Sequence, residues 1–211
     1  KPHDFLSAEQ RDGSELQAKE IYEDYRFFDR NVLLYPARDL MFYQADIHSN
    51  LLVKQRMEVI QALLTRPDVT VVTTVDACME HVLPLNAFKE QVIRIQDTGQ
   101  LDLDELKARL VSLGYERTAQ GEGSGQFAVR GGIIDIFPLT EENPLRIELW
   151  DEEVDSIRSF DVESQRSIEN LSEVLIYPAT ELILTEDRKA AGLKAIEKDS
   201  KNYEAALRKQ M

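Results

Sequence analysis

The sequence predicts a mixed α/β chain in two regimes: a parallel-sheet α/β region first, then an inserted α+β region with a largely antiparallel sheet. Three observations carry this. Residues 12 to 85 alternate helical and strand-like apolar patterns, the grammar of strands covered by helices. From about Phe88 onward, short strand-like pieces follow one another with turn chemistry between them, which signals hairpins. After Pro178, a charged helical pattern closes the chain. The expected division is 1–88, 89–178 and 179–211, the last a helix returning to the first region.

In the first regime, Ser14 and Gln17 have the spacing of a capping box, and Ala18, Ile21, Tyr22 and Tyr25 follow at helical spacing. Asn31 to Tyr35 is a short apolar strand stopped by Pro36. Val53, Met57, Ile60 and Leu64 mark one face of a helix that ends at Pro67-Asp68, and Val69 to Thr74 is a second buried strand. In the second regime, Val92, Ile93 and Ile95 mark a strand. Asp102 to Leu113 reads as a helix with Leu103, Leu106 and Leu110 inward. Strands are expected at 126–131, 133–137, 144–150, 153–160 and 173–177. Gly121 to Gly125, Gly131-Gly132 and Glu142-Asn143-Pro144 supply turns. Asp187 to Gln210 predicts a helix with Leu193, Ile196, Tyr203 and Leu207 on one side, weakened slightly by Gly192.

Composition narrows the function. The net charge is −14 with a pI of about 4.7, whereas phosphate-backbone binding needs clustered Lys and Arg. Direct nucleic-acid binding is therefore not expected. No apolar run approaches the ~20 residues of a membrane span. The single cysteine, Cys78, permits no internal disulfide, reads as inert packing, and fits a reducing, cytoplasmic setting. The opening Lys1-Pro2-His3-Asp4 has no secretory pattern and reads as a boundary within something longer.

Catalytic chemistry is nearly absent from the pattern. His3, His48 and His81 lie far apart without metal-ligand spacing. Gly121-Glu122-Gly123-Ser124-Gly125 has the look of a phosphate loop, but no Lys-Ser/Thr follows and it leads into a strand. A phosphate cradle needs a helix N-terminus behind the glycines, so a flexible hairpin is the expectation. Asp151-Glu152-Glu153 and Asp155 read as a solvated turn rather than a cation site. No cofactor, no metal and no enzymatic activity are expected.

The informative segment is Pro144-Leu145-Arg146-Ile147-Glu148-Leu149-Trp150. Strand parity puts Leu145, Ile147 and Leu149 on one face, and Arg146, Glu148 and Trp150 on the other. That polar face holds the chain's only Trp. Trp and Arg are typical anchors of protein–protein contacts, which predicts a docking surface. A second layer covering this face would instead make Trp150 core, and the pattern alone leaves both readings open. Residues 89–178 contain 9 Lys and Arg against 19 Asp and Glu, a net of −10. Isolated arginines in such a setting suit pairing with carboxylates of a protein partner. Glu148, between Arg146 and Trp150, is expected to hold one arginine in place.

The run Gly125-Gln126-Phe127-Ala128-Val129-Arg130-Gly131-Gly132-Ile133-Ile134-Asp135-Ile136-Phe137-Pro138 resembles the second domain of the nucleotide-excision-repair protein UvrB. It is more similar to the UvrB-homologous module of bacterial transcription-repair coupling factors (Mfd). Arg146 to Arg158, Phe160-Asp161 and Ser164-Gln165-Arg166 extend that likeness, which runs from about Ser14 to Leu184. UvrB carries a long Tyr-rich hairpin in its first domain. Here Pro36 to Gln55 holds only Phe42 and Tyr43, which leaves no room for one, as in the coupling factors.

The resemblance implies that the first region is a degenerate helicase-like domain without its nucleotide loop, and that the second recruits the ATPase UvrA to a stalled RNA polymerase. It implies UvrA contacts at Arg130, Arg146 and Trp150, the last replacing a usual Phe, with Arg117 in the place of a further UvrB arginine. Ala128 stands where UvrB has another arginine, so that contact is missing. Other domains of a full-length translocase are the remaining implied partners. The competing expectation is a nucleotide- or DNA-handling helicase fragment, for which the residues offer neither a Walker loop nor a basic groove.

Overall fold

A computed structural model describes residues 8–38, 47–183 and 186–210. Helix α1 (Ala8–Arg26) leads into β1 (Val32–Tyr35), α2 (Ile47–Thr65) and β2 (Thr70–Thr73). β1 and β2 pair in parallel, Val32 opposite Thr70 through Tyr35 opposite Thr73, with α2 as the crossover that parallel strands require. Ala18, Met57 and Ile60 are buried and Val53 and Leu64 partly so, as the helical spacing predicts. Ser14, expected at a helix start, lies inside α1. The capping-box reading was local, and the helix continues through Gly13 with no Cβ contact to hinder it. Ile21 and Tyr25 are exposed. Phe42 and Tyr43 lie outside the described residues.

Two one-turn helices, α3 (Val75–Met79) and α4 (Leu85–Lys89), connect to β3 (Ile93–Gln96). Cys78, expected to pack, is exposed on α3. Its neighbour Ala77 takes the buried position. α5 (Leu103–Ser112) starts where Asp102 accepts hydrogen bonds from the Asp104 and Glu105 amides at 2.8 and 3.0 Å, a side-chain N-cap. It buries Leu106 and Leu110.

The second regime is a six-stranded sheet in chain order: β4 (Glu116–Arg117), β5 (Gln126–Arg130), β6 (Ile133–Phe137), β7 (Leu145–Trp150), β8 (Glu153–Phe160) and β9 (Ser167–Asn170). All pairs from β5 to β9 are antiparallel. β4 runs parallel to β5, Glu116 opposite Gln126, so the glycine segment before β5 is not a hairpin. Gly121 and Gly125, at φ +64° and +82°, turn the chain back through conformations that favour glycine. The short strands β4 and β9 escaped the sequence reading. β10 (Glu173–Ile176) pairs antiparallel with β3, from Ile93 opposite Ile176.

One continuous core joins the two regimes. Phe127, Ile134, Ile136, Leu145, Ile147 and Ile157 from the sheet meet Leu106 and Leu110 of α5, Ile93 and Ile176 of β3 and β10, and Met57 and Ile60 of α2. A buried polar cluster reinforces this junction. Arg56 of α2, 1% exposed, donates to Glu181 (2.5 Å), to the Pro36 carbonyl and to the Tyr35 hydroxyl (2.6 Å). It also pairs with Glu80 at 2.8 Å and lies 4.1 Å over the Tyr35 ring. Arg38 is a second cation on Glu181. Burial, then the Glu181 charge, pushes the Tyr35 hydroxyl well above its ordinary value. Burial raises Glu181, but the hydrogen bonds and charges of Arg56 and Arg38 outweigh it and hold the carboxyl below its usual range.

The closing helix α6 (Glu186–Gln210) matches its predicted span. Leu193, Ile196 and Tyr203 on it are exposed, and the side chain of Leu207 lies outside the described residues. Among the described residues no helix is long and apolar enough to cross a membrane.

Candidate protein-docking face

The sheet is amphipathic across its strands as well as along them. Its inner face carries Phe127, Ile134, Ile136, Leu145 and Ile147 into the core. The register sets a row on the other face: Ala128 opposite Asp135, Asp135 opposite Arg146, and Arg146 opposite Arg158. One residue pair along lies Arg130 opposite Ile133, then Glu148 and Ser156. Neighbouring strands thus bring residues from distant parts of the sequence into one plane.

Asp135 is the hub. It is 1% exposed, and a buried carboxylate needs partners. Arg146 grips it with both arms of its fork, Nε to Oδ1 at 2.6 Å and Nη2 to Oδ2 at 2.8 Å, the bidentate geometry that arginine is built for. Arg130 donates to the same Oδ2 from the next strand. The Arg146 guanidinium lies 4.3 Å over the Phe160 ring, and its Nη2 also donates to Gln165 Oε1 at 2.9 Å. The hydrogen bonds to Asp135 push the Arg146 guanidinium above its ordinary value. Arg146 is thus a fixed strut with a largely covered side chain, whereas the Arg130 side chain is half exposed.

Trp150 stands at the end of β7 and is 82% exposed. That answers the question left open by parity: no second layer among the described residues covers it. A register shift between Glu148 and Leu149 marks a bulge just before it, a device that re-aims side chains at strand ends. Trp150 borders an open concavity with Gly132, Ile133, Glu148, Leu149 and Asp155. Of the acidic tip expected at Asp151-Glu152-Glu153 and Asp155, the exposed Asp151 and Glu152 form the β7–β8 turn, and Glu153 and Asp155 fall within β8.

The structure also places Glu148 and Arg117. Glu148 does not hold Arg130 or Arg146; it pairs with Arg158 Nη2 and faces the Ser156 hydroxyl at 3.4 Å, because Asp135 already occupies both other guanidiniums. Arg117 is not gathered into this cluster: its register partner is Phe127, whose side chain points to the opposite face of the sheet. Asp135 itself escaped the sequence reading. The signal was present: one charged residue inside the apolar run Ile133-Ile134-Asp135-Ile136-Phe137 must be paired if that strand is buried. His81 is exposed, the side chains of His3 and His48 lie outside the described residues, and no group of three or more His, Cys, Asp or Glu among the described residues could hold a metal ion.

Comparison with known proteins places this face in a family. The family model for the UvrB interaction domain matches residues 93–182, which contain the whole sheet. The transcription-repair-coupling factor of Bacillus subtilis (strain 168) is 43% identical over 195 residues, 92% of this chain and 16% of that protein. That of Staphylococcus haemolyticus (strain JCSC1435) is 37% identical over 156 residues, 74% of this chain and 13% of the relative. That of Staphylococcus aureus (strain Mu50 / ATCC 700699) is 36% identical over 173 residues, 81% of this chain and 15% of the relative. The chain spans about one sixth of the length of the curated relatives it matches. Residues 93–182 belong to the UvrB interaction domain family, within a chain homologous to a segment of the bacterial transcription-repair-coupling factors.

Proposed function

We propose that this chain is a protein-interaction module that recruits UvrA to stalled RNA polymerase in transcription-coupled repair, working in the bacterial cytoplasm. The observation that carries the reading is the outer sheet face: a highly exposed Trp150 beside a preorganised Arg130–Asp135–Arg146 cluster. Exposed aromatics next to arginine typify interaction hot spots. The contacts fall to Trp150 and Arg130 first, with Arg146 and Glu148 shaping the surface between them. Arg117 is at most a separate contact. On this reading residues 89–178 dock the partner. Residues 1–88 form a degenerate helicase-like support, and 179–211 link back to it. The chain acts without catalysis or cofactor of its own, and its charge of −14 disfavours a direct hold on DNA.

Calorimetry of the chain with cognate UvrA, without ATP or DNA, tests the reading. A complex at micromolar concentrations is expected. No complex at any accessible concentration removes the recruiting function from this chain. A salt-sensitive shift of duplex DNA, or ATP hydrolysis, would favour a DNA- or nucleotide-handling helicase fragment instead.

A further inference from the structure

Two adjacent glycines, Gly131 and Gly132, form the turn between β5 and β6, whose last facing pair is Arg130 and Ile133. The turn accounts for one of them. Gly131 has φ +62°, in the left-handed region, with open space where a Cβ would stand. That is a demand of the backbone, which glycine meets without strain. Gly132 lies outside the left-handed region, and its demand is steric instead. A Cβ at Gly132 would stand 2.7 Å from the Leu149 carbonyl oxygen, well inside the roughly 3.3 Å at which carbon and oxygen touch. The atom it meets is main chain and cannot swing aside. The Leu149 amide in turn donates to the Gly132 carbonyl at 2.8 Å. The contact of β6 with β7 thus runs one step past the pairing of Ile133 with Glu148, and position 132 must lack a side chain for it to do so.

That step falls beside Trp150. Glu148 faces Ser156 and Leu149 faces Val154, which leaves Asp155 as the extra residue of a bulge on β8. Trp150 then faces Glu153 at the end of the hairpin. Leu149 is the residue between the bulge and the indole. β8 meets it with a broken register on one side, and Gly132 holds it on the other. Gly132 also borders the concavity beside Trp150. We propose that Gly132 is a positioning residue of the docking face: its missing side chain lets the β5–β6 turn close on Leu149 and fixes the end of β7 in the position that presents Trp150 to the docked protein. The inference rests on the docking function proposed above.

The test measures affinity for cognate UvrA by calorimetry in the unaltered chain, Gly132→Ala, Trp150→Ala, the double variant and Gly131→Asn, with thermal melting to establish folding. The chain's only indole gives one Nε1–H peak in a nitrogen–proton correlation spectrum, a reporter of Trp150 alone. Gly132→Ala should bind about tenfold or more weakly, shift the indole peak and speed hydrogen exchange at the Leu149 amide. Added to Trp150→Ala, it should cost less than about threefold more, because a residue that acts through the indole then has nothing left to position. Gly131→Asn suits the left-handed backbone and should leave affinity and indole peak as they are. Full additivity of the Gly132 and Trp150 substitutions overturns the proposal. So does weaker binding by Gly132→Ala with an unmoved indole peak, since the added methyl would then obstruct the partner itself. An equal loss for Gly131→Asn also overturns it, by reducing Gly132 to one half of a turn. Equal affinity of the Gly132→Ala and unaltered chains, while Trp150→Ala binds weakly, overturns it and leaves the docking function standing. The unaltered chain supplies a reading that holds even where Gly132→Ala does not fold: a Leu149 amide that exchanges as fast as those of the exposed turn residues Asp151 and Glu152 overturns the proposal. Absence of UvrA binding by the unaltered chain overturns both.

Discussion

Trp150→Ala separates binding from folding more cleanly than any other single substitution. In the free chain the indole is 82% exposed, so its removal takes away little packing. A surface change of this kind alters stability by about 0.5 kcal/mol or less. For a chain of this size that moves the melting temperature by about 2 °C at most. Docking reverses the balance. A Trp side chain buries roughly 150–250 Å² when covered, and most of that area is still open here. At about 25 cal/mol per Å², covering ~200 Å² is worth at most ~5 kcal/mol. Ordering and desolvation on association consume part of it. A loss of about 2 kcal/mol or more on truncation remains, the level of an interface anchor, or about 30-fold in Kd. Differential scanning calorimetry and titration against UvrA read the two quantities on the same sample. A fall in melting temperature of more than ~6 °C would mean that the indole packs in the folded chain. Unchanged UvrA affinity would mean that docking takes place elsewhere.

Three further outcomes follow from the buried charges. Arg56→Ala strands Glu181 and Glu80 at the junction of α2 with the sheet domain and should cost about 3–5 kcal/mol; a urea midpoint within error of the unaltered chain would show that Arg38 alone suffices. Asp135→Ala leaves two guanidiniums without their shared carboxylate and should cost about 3 kcal/mol of stability, with weaker UvrA binding as Arg146 loses its orientation; unaltered binding in a folded variant would show that the arginines need no hub. The Glu181 carboxyl is held below its unfolded value near 4.3, so its contribution is complete above that pH and is lost as pH falls through the depressed folded value. Urea midpoints measured from pH 6 down to pH 3 should decline, and Glu181→Gln should flatten the decline; parallel curves would remove Glu181 from the acid response.

Much of this site is legible from one strand. The alternation of Leu145, Ile147 and Leu149 with Arg146, Glu148 and Trp150 gives the two faces correctly, because one face of an antiparallel sheet is committed to the core. The docking partner of Arg146 within the fold is not legible in that way. Asp135 sits opposite it only through the register of β6 on β7, and the apolar run around Asp135 hides its parity. Which arginine Glu148 holds is not legible for the same reason: its diagonal neighbour Arg158 belongs to the next strand. The α1 start was misplaced because Ser14 and Gln17 satisfy a local rule while the helix obeys its longer context. The pairing of β3 with β10 has no local signature.

That last pairing gives the fold a sequence in time. Strands β5 to β9 each pair with the next strand along the chain, so every step closes a short loop. β3 and β10 join residues 93–96 to residues 173–176, across the entire meander. Loop-closure entropy and long-range contacts both slow such a step. The expected order has the hairpins of β6, β7 and β8 gain hydrogen-exchange protection first and β3 last. Pulse labelling that found β3 amides protected ahead of those of β7 would reverse it. In a chain emerging from the ribosome, the surface bearing Arg146 and Trp150 would then take shape before the strand that precedes it in sequence finds its place.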